Sequence, residues 1–373
     1  MRSSHAYVLF MLLCAVRVAA QPHGQFSLAL DVNYASADKA IELYAGLSGR
    51  PAEIAALRGS QLALAITGML ARRQLQTLDL EQSLAAAKFN QSDGDDLFRM
   101  REARANAAPI GELLQELRRR NFGQRVVSTV EQLFPGDARV NARIPMYVVA
   151  FGHQNIDAFV VRVTWDGDVP HPAGEQEGEQ VIVVNLAKAV HYGHSTDERF
   201  IGLLSVVAHE VFHAAFGEYK STTPEWQAYY ASPLRPLDEL MDLAHNEGVA
   251  YYLSLIQRSQ GRLPHDGLQR AQEAFDQFNN AAAELLSPRL APPRAADILR
   301  NANTSGYWES YGSITGMIIA RQIDQTLGRL ALVETIRKGP NAFFMTYVQL
   351  MKRDAGLPQL SSLLQQEISR RTQ

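Results

Sequence analysis

Residues Ser195 to Gly217 constrain the fold more than any other stretch, because they specify a helix from start to finish. Ser195-Thr196-Asp197-Glu198 fits a capping box, with Ser195 at the cap and Glu198 three residues on. Phe200, Leu203, Leu204, Val207, Val211 and Phe216 then supply a broad apolar face, and Gly217 stands where a left-handed C-cap is expected. Inside this helix lies His209-Glu210-Val211-Phe212-His213, an HExxH. Residues four apart share a helix face, so two neutral imidazoles can point at one ion. Glu210 falls beside them, next to the coordination sphere but not in it. The pattern suits a catalytic zinc, which takes three protein ligands and keeps a fourth position for water. A carboxylate placed like Glu210 can accept that water's proton and later pass it to a leaving amine.

Two histidines need a third ligand. The spacing HExxHxxGxxH is excluded, because Phe216 and Tyr219 occupy its last two positions. A glutamate from a following helix remains, and Glu218, Glu225, Asp238, Glu239, Asp242 and Glu247 are the acids in range. Glu218 lies too close along the same helix to close the site easily. Glu247 is the best choice. It sits in Leu237–Leu255, a second helical stripe with Pro236 placed for its first turn. An acid inside an otherwise apolar helix is costly unless it is paired or metal-bound. Gly248 and Ala250 beside it are small and permit close approach of another helix. His245 is the rival ligand.

The rest of the chain divides by pattern. Residues 36 to about 132 read mostly as helix, with apolar stripes through Ala40–Leu47, Ile54–Leu75 and Ile110–Leu117. Asn90–Arg104 is polar and reads as a loop or an exposed helix. Near residue 140 the character changes. Ile144–Phe151, Phe159–Thr164 and Val181–Leu186 are β-branched and aromatic, bounded by turns, and read as strands. From 195 onward the pattern is helical almost to the end. Helices, a small sheet, then helices make an α+β layout, without the alternation of a doubly wound fold. The expected organisation is a helical N-terminal region over 21–135 and a catalytic domain over 136–373. The 36 basic and 39 acidic residues give a formal net charge of −3, which does not favour a nucleic-acid partner.

Residues 1–20 read as a signal peptide. Arg2 precedes an apolar run from Ala6 to Val16, and Val18-Ala19-Ala20 places small residues before Gln21. The only cysteine, Cys14, lies inside this segment. The mature chain would hold no thiol, which fits a bacterial periplasm or secretion without disulfides. No later run of residues is long and wholly apolar enough to predict a stable membrane span.

His209-Glu210-x-x-His213 followed by Glu247-Gly248-x-Ala250 resembles the gluzincin metallopeptidases. Within them the chain is most similar to a group of bacterial proteins regarded as zinc-dependent peptidases. The resemblance implies a mostly helical zincin-like fold with a small mixed sheet before the active helix. It also implies Zn2+ on His209, His213 and Glu247, Glu210 as general base, and a peptide or protein substrate. Thermolysin-like enzymes carry Asn-Glu-x-x-x-Asp; here Asn246-Glu247 is followed by Tyr251 at the aspartate position, so Tyr251 or a backbone carbonyl is expected to orient a ligand histidine. Related peptidases often place a tyrosine before a Gly-x-x-x-Ala helix. Gly316 and Ala320 fit that helix, but Ser313 stands at the tyrosine position, so Tyr311 is expected to stabilise the oxyanion, with Tyr307 as the alternative. One of the three strands is expected to line the cleft. A catalytically silent binding or scaffold protein on the same fold is the competing expectation.

Overall fold

The computed structural model describes residues 26–47, 49–89, 95–174, 177–303 and 308–371. The signal-peptide segment with Cys14, the start of the polar stretch at Asn90, and Tyr307 lie outside them. The fold is α+β: mostly helical, with one mixed five-stranded sheet in the order β1-β2-β5-β3-β4. The strands are β1 (Phe26–Asn33), β2 (Val140–Val149), β3 (Ala158–Asp166), β4 (Val169–Pro172) and β5 (Glu179–Asn185). β1, β2 and β5 run parallel, while β3 is antiparallel to both β5 and β4.

The three predicted strands are β2, β3 and β5. β1 and β4 are additions. The region 21–135, expected to be helical, therefore begins its described part with a strand, and Phe26 pairs with Val140 across the expected domain boundary. Val181–Asn185 of β5 are all buried, as befits a strand covered on both faces.

The principal helices of the first half are α1 (Ala35–Tyr44), α2 (Arg58–Ala71), α3 (Ala107–Arg119) and α4 (Phe122–Glu131). α1 and α2 pack on β2, and α2 also reaches β4 and β5. The central helix is α5 (Thr196–Thr222). It packs on β2 and β3, and α3 and α4 pack on it. Phe134 sits between Phe26 of β1 and Phe212 and Phe216 of α5, with ring centroids 5.3, 5.7 and 6.4 Å away. The N-terminal region and the central helix thus share one core.

The capping box at Ser195 and Glu198 is formed in both directions. The expected stop at Gly217 is not: α5 continues through it to Thr222, and Pro224 follows. The backbone at Gly217 does not adopt positive φ, so nothing there requires termination. By length and composition α5 is apolar enough to cross a membrane, yet 61% of its most apolar window is buried inside the protein, as in a core helix.

Beyond α5 come α6 (Pro236–Ser259), α7 (Gly267–Leu285), α8 (Pro292–Ala302), α9 (Tyr311–Leu327) and α10 (Pro340–Met351). α6 lies between α5 and α9. Its crossing with α9 is made by glycines: a Cβ on Gly316 would lie 1.7 Å from the Ala244 carbonyl oxygen, and one on Gly248 would lie 2.2 Å from the Gly316 carbonyl carbon. The small residues beside Glu247 therefore permit a backbone-to-backbone approach.

Candidate metal centre

α5 presents His209 and His213 on one face, one turn apart, and α6 presents Glu247 to them. The His209 and His213 Nε2 atoms are 3.0 Å apart. Glu247 Oε2 lies 3.5 Å from the first and 3.4 Å from the second. The three side chains are mostly buried, between 12% and 22% exposed. They form a group of metal-ligating type whose donor atoms all lie within 4.8 Å of one another.

The donor set fits a cation of zinc's size. Tetrahedral ligands at about 2.0–2.1 Å from zinc stand about 3.3 Å apart. The three observed separations bracket that value. The tautomer points the same way. His213 Nδ1 lies 3.1 Å from Asn246 Oδ1, an acceptor, so Nδ1 donates and the neutral ring keeps its lone pair on Nε2. That lone pair faces another imidazole nitrogen and a carboxylate oxygen. Such an arrangement repels itself unless a proton or a metal cation lies between them.

The electrostatics agree. Burial pushes the Glu247 carboxyl up, but contact with His209 and His213 outweighs it and holds the group well below the usual carboxylate range. Burial opposes protonation of His213, yet Glu247, Glu210 and Asn246 raise it overall. Glu210, next to the first histidine, is raised, chiefly by burial, with His209 and His213 pulling the other way. No described residue hydrogen-bonds the Glu210 carboxylate, so it is available to a water.

The third-ligand alternatives are placed elsewhere. His245 is fully buried and stacks against the Trp226 indole at 6.0 Å and 7°. Two residues from Glu247, it faces away on the helix. Burial, with Lys220 nearby, keeps it uncharged. Asp242 pairs with Lys220 at 2.9 Å, Asp238 pairs with Arg235 and Arg371, and Glu239, Glu218 and Glu225 are outside the group. Lys220 also lies over the Phe216 and Trp226 rings, each at 4.6 Å. Through Asp242 this lysine ties the end of α5 to α6, and through the Trp226 ring to the short helix between them.

The stretch from Tyr219 to Arg235, between these helices, is not an open loop. α5 occupies its start, and Pro224–Tyr229 forms a short helix. Trp226 is 1% exposed and donates to the Ile336 carbonyl at 2.8 Å, and Tyr229 and Tyr230 pack on its ring, so these aromatics cap the core. The rings of Tyr251 and His209 meet in a T-shaped contact, their centroids 4.6 Å apart.

Tyr311 is not gathered into the group. Its hydroxyl donates to the Ile298 carbonyl at 2.8 Å and ties α9 to α8, and burial pushes its pKa up to about 12. Two outer partners went unread in the sequence: Asn246, and Asn303, whose amide donates to Glu247 Oε1 at 2.9 Å. Asn246 had a signal, because it adjoins Glu247 and lies on the same helix as it. Asn303 had none, since its proximity arises only from the packing of α8 and α9 on α6.

An HExxH helix crossed by a glutamate-bearing helix thus gathers two imidazoles and a carboxylate that could hold a metal ion. The chain matches, over residues 52–356, the model of the domain family DUF5700, described as putative zinc dependent peptidase, and it belongs to that family. No curated protein and no solved structure gives a significant match.

Proposed function

We propose that the chain is an exported zinc-dependent metallopeptidase. The observation that carries this reading is the convergence of His209 Nε2, His213 Nε2 and Glu247 Oε2 on one point, with Glu210 beside them. His209, His213 and Glu247 would hold the ion. Zinc bound there would acidify a coordinated water and polarise the scissile carbonyl. Glu210 accepts the proton of the attacking water and delivers it to the departing amine nitrogen. Its burial favours proton uptake, which suits a base that must hold and return a proton.

The sheet supports a peptide substrate. Of the three strands expected to line a cleft, β2 and β5 each have strand neighbours on both sides. β3 does not: β4 pairs with it only over Val163–Asp166, so no strand among the described residues pairs with the outer edge of Ala158–Val161. β3 packs on α5, the helix that carries the motif. An extended peptide would add to this edge through its main chain, independently of its side chains. Export rests on the segment 1–20 and places this activity in the periplasm or outside the cell.

The catalytically silent reading gains support from Tyr311, whose hydroxyl is already bonded. A peptide library separates the two. The zinc-loaded chain is expected to cleave extended peptides, to stop when a chelator removes the ion, and to recover on adding zinc back. A zinc-loaded chain that cleaves nothing in such a library contradicts the peptidase reading and favours the scaffold.

A further inference from the structure

The two oxygens of Glu247 have different surroundings. Oε2 faces the two imidazoles, while Oε1 accepts the Asn303 amide at 2.9 Å. Asn303 closes α8, with its backbone N–H bonded to the Arg300 carbonyl, so the amide is offered from an anchored position. Its own Oδ1 lies 3.5 Å from the hydroxyl of Ser313, which is buried in the first turn of α9. Asn303 therefore links the α8–α9 junction to the ligand helix α6.

On the zinc reading above, we infer that Asn303 is a positioning residue that holds Glu247 as a one-oxygen ligand. With Oε1 engaged by the amide, Oε2 alone is turned to the ion. A carboxylate free to rotate could offer both oxygens and take the position that an attacking water needs. The partner is an amide, a neutral donor. It fixes the carboxylate without adding a second negative charge, and its Oδ1 lies toward the Ser313 hydroxyl. Each ligand then has a neutral neighbour: Asn246 at His213, Tyr251 at His209 and Asn303 at Glu247. Outer partners of this kind fix ligand orientation, and their loss typically costs ten- to a hundredfold in metal affinity.

The test is zinc affinity of the full mature chain, read by competition with a chromophoric chelator, together with urea unfolding of the zinc-free protein. Asn303→Ala should raise the zinc dissociation constant about tenfold or more. Ser313→Ala, which removes a neighbour of Asn303 but no contact to Glu247, should stay within about twofold on the same scale. The zinc-free Asn303→Ala chain should unfold at the wild-type urea midpoint, which a merely structural role would lower. Unchanged affinity in Asn303→Ala, or a loss matched by Ser313→Ala, overturns the inference while leaving the peptidase proposal standing. A wild-type chain that takes up no zinc overturns both.

Discussion

Glu210→Gln should leave zinc in place and abolish turnover. Gln has the shape of Glu but cannot accept the proton of the attacking water. General-base assistance is worth about a hundred- to ten-thousandfold, so kcat should fall by about that range. KM should change little, because the substrate's main chain is expected to bind along β3, and the ligand atoms belong to other residues. The variant should fold normally. Glu210 is mostly buried, and no described residue depends on its carboxylate for a hydrogen bond, so a neutral amide there strands no partner. If Glu210→Gln keeps kcat within tenfold of wild type, another group moves the proton. If it loses its zinc, Glu210 has been assigned to the wrong role.

Gly316→Ala should unfold the ligand helix pair, although it adds a single methyl group. That methyl would meet the Ala244 carbonyl oxygen at 1.7 Å, with the Gly248 Cα at 2.9 Å. Backbone atoms on a packed helix cannot rotate out of the way as a side-chain tip can. α6 and α9 must separate, and Glu247 and Asn303 move with them. Overpacking typically costs 1–3 kcal/mol, and a clash with main chain belongs at the top of that range, about 3 kcal/mol. Zinc affinity should drop as well. Gly217→Ala supplies the contrast. A Cβ there meets nothing within 4 Å, and the residue lies inside α5. Alanine is the better helix former, so this variant should be neutral or more stable by up to about 1 kcal/mol. Urea midpoints of the two variants check both statements. Equal midpoints would mean that the helix crossing is not as close as described.

These contrasts show what the sequence carried and what it did not. The start of α5 was legible because a capping box is local: Ser195 and Glu198 are three residues apart. Its end was misplaced because a glycine only permits a left-handed cap, and here the helix runs past Gly217 to the Thr223–Pro224 junction. β2, β3 and β5 were legible from their β-branched cores. β1 carries the alternation of a half-buried strand, with Phe26, Leu28, Leu30 and Val32 apolar, but the helical reading of the region passed over it, and its partner lies more than a hundred residues away. β4 is only four residues long and contains two prolines, a composition that reads as a turn.

The metal group was legible to different depths. His209 and His213 follow from one helix, and Glu247 from a second helix whose apolar face tolerates no unpaired acid. The Gly248 approach was legible in kind, but its partner Gly316 was not, since a crossing pairs residues far apart in sequence. Tyr311 was expected at the reaction centre from its place before a Gly-x-x-x-Ala helix. The structure instead bonds it to Ile298, because α8 packs back across the start of α9. Asn303 belongs to the same junction and reaches Glu247 only through that packing.

Metal content of the purified mature chain tests the central claim most directly, with wild type beside His213→Ala and Glu247→Ala. Removing one of three ligands from a buried site should take zinc below detection in both variants, while wild type holds one ion per chain. Wild type without zinc after reconstitution would contradict the metal centre itself. Zinc retained in full by Glu247→Ala would contradict the pairing of α5 with α6 as the ligand helices.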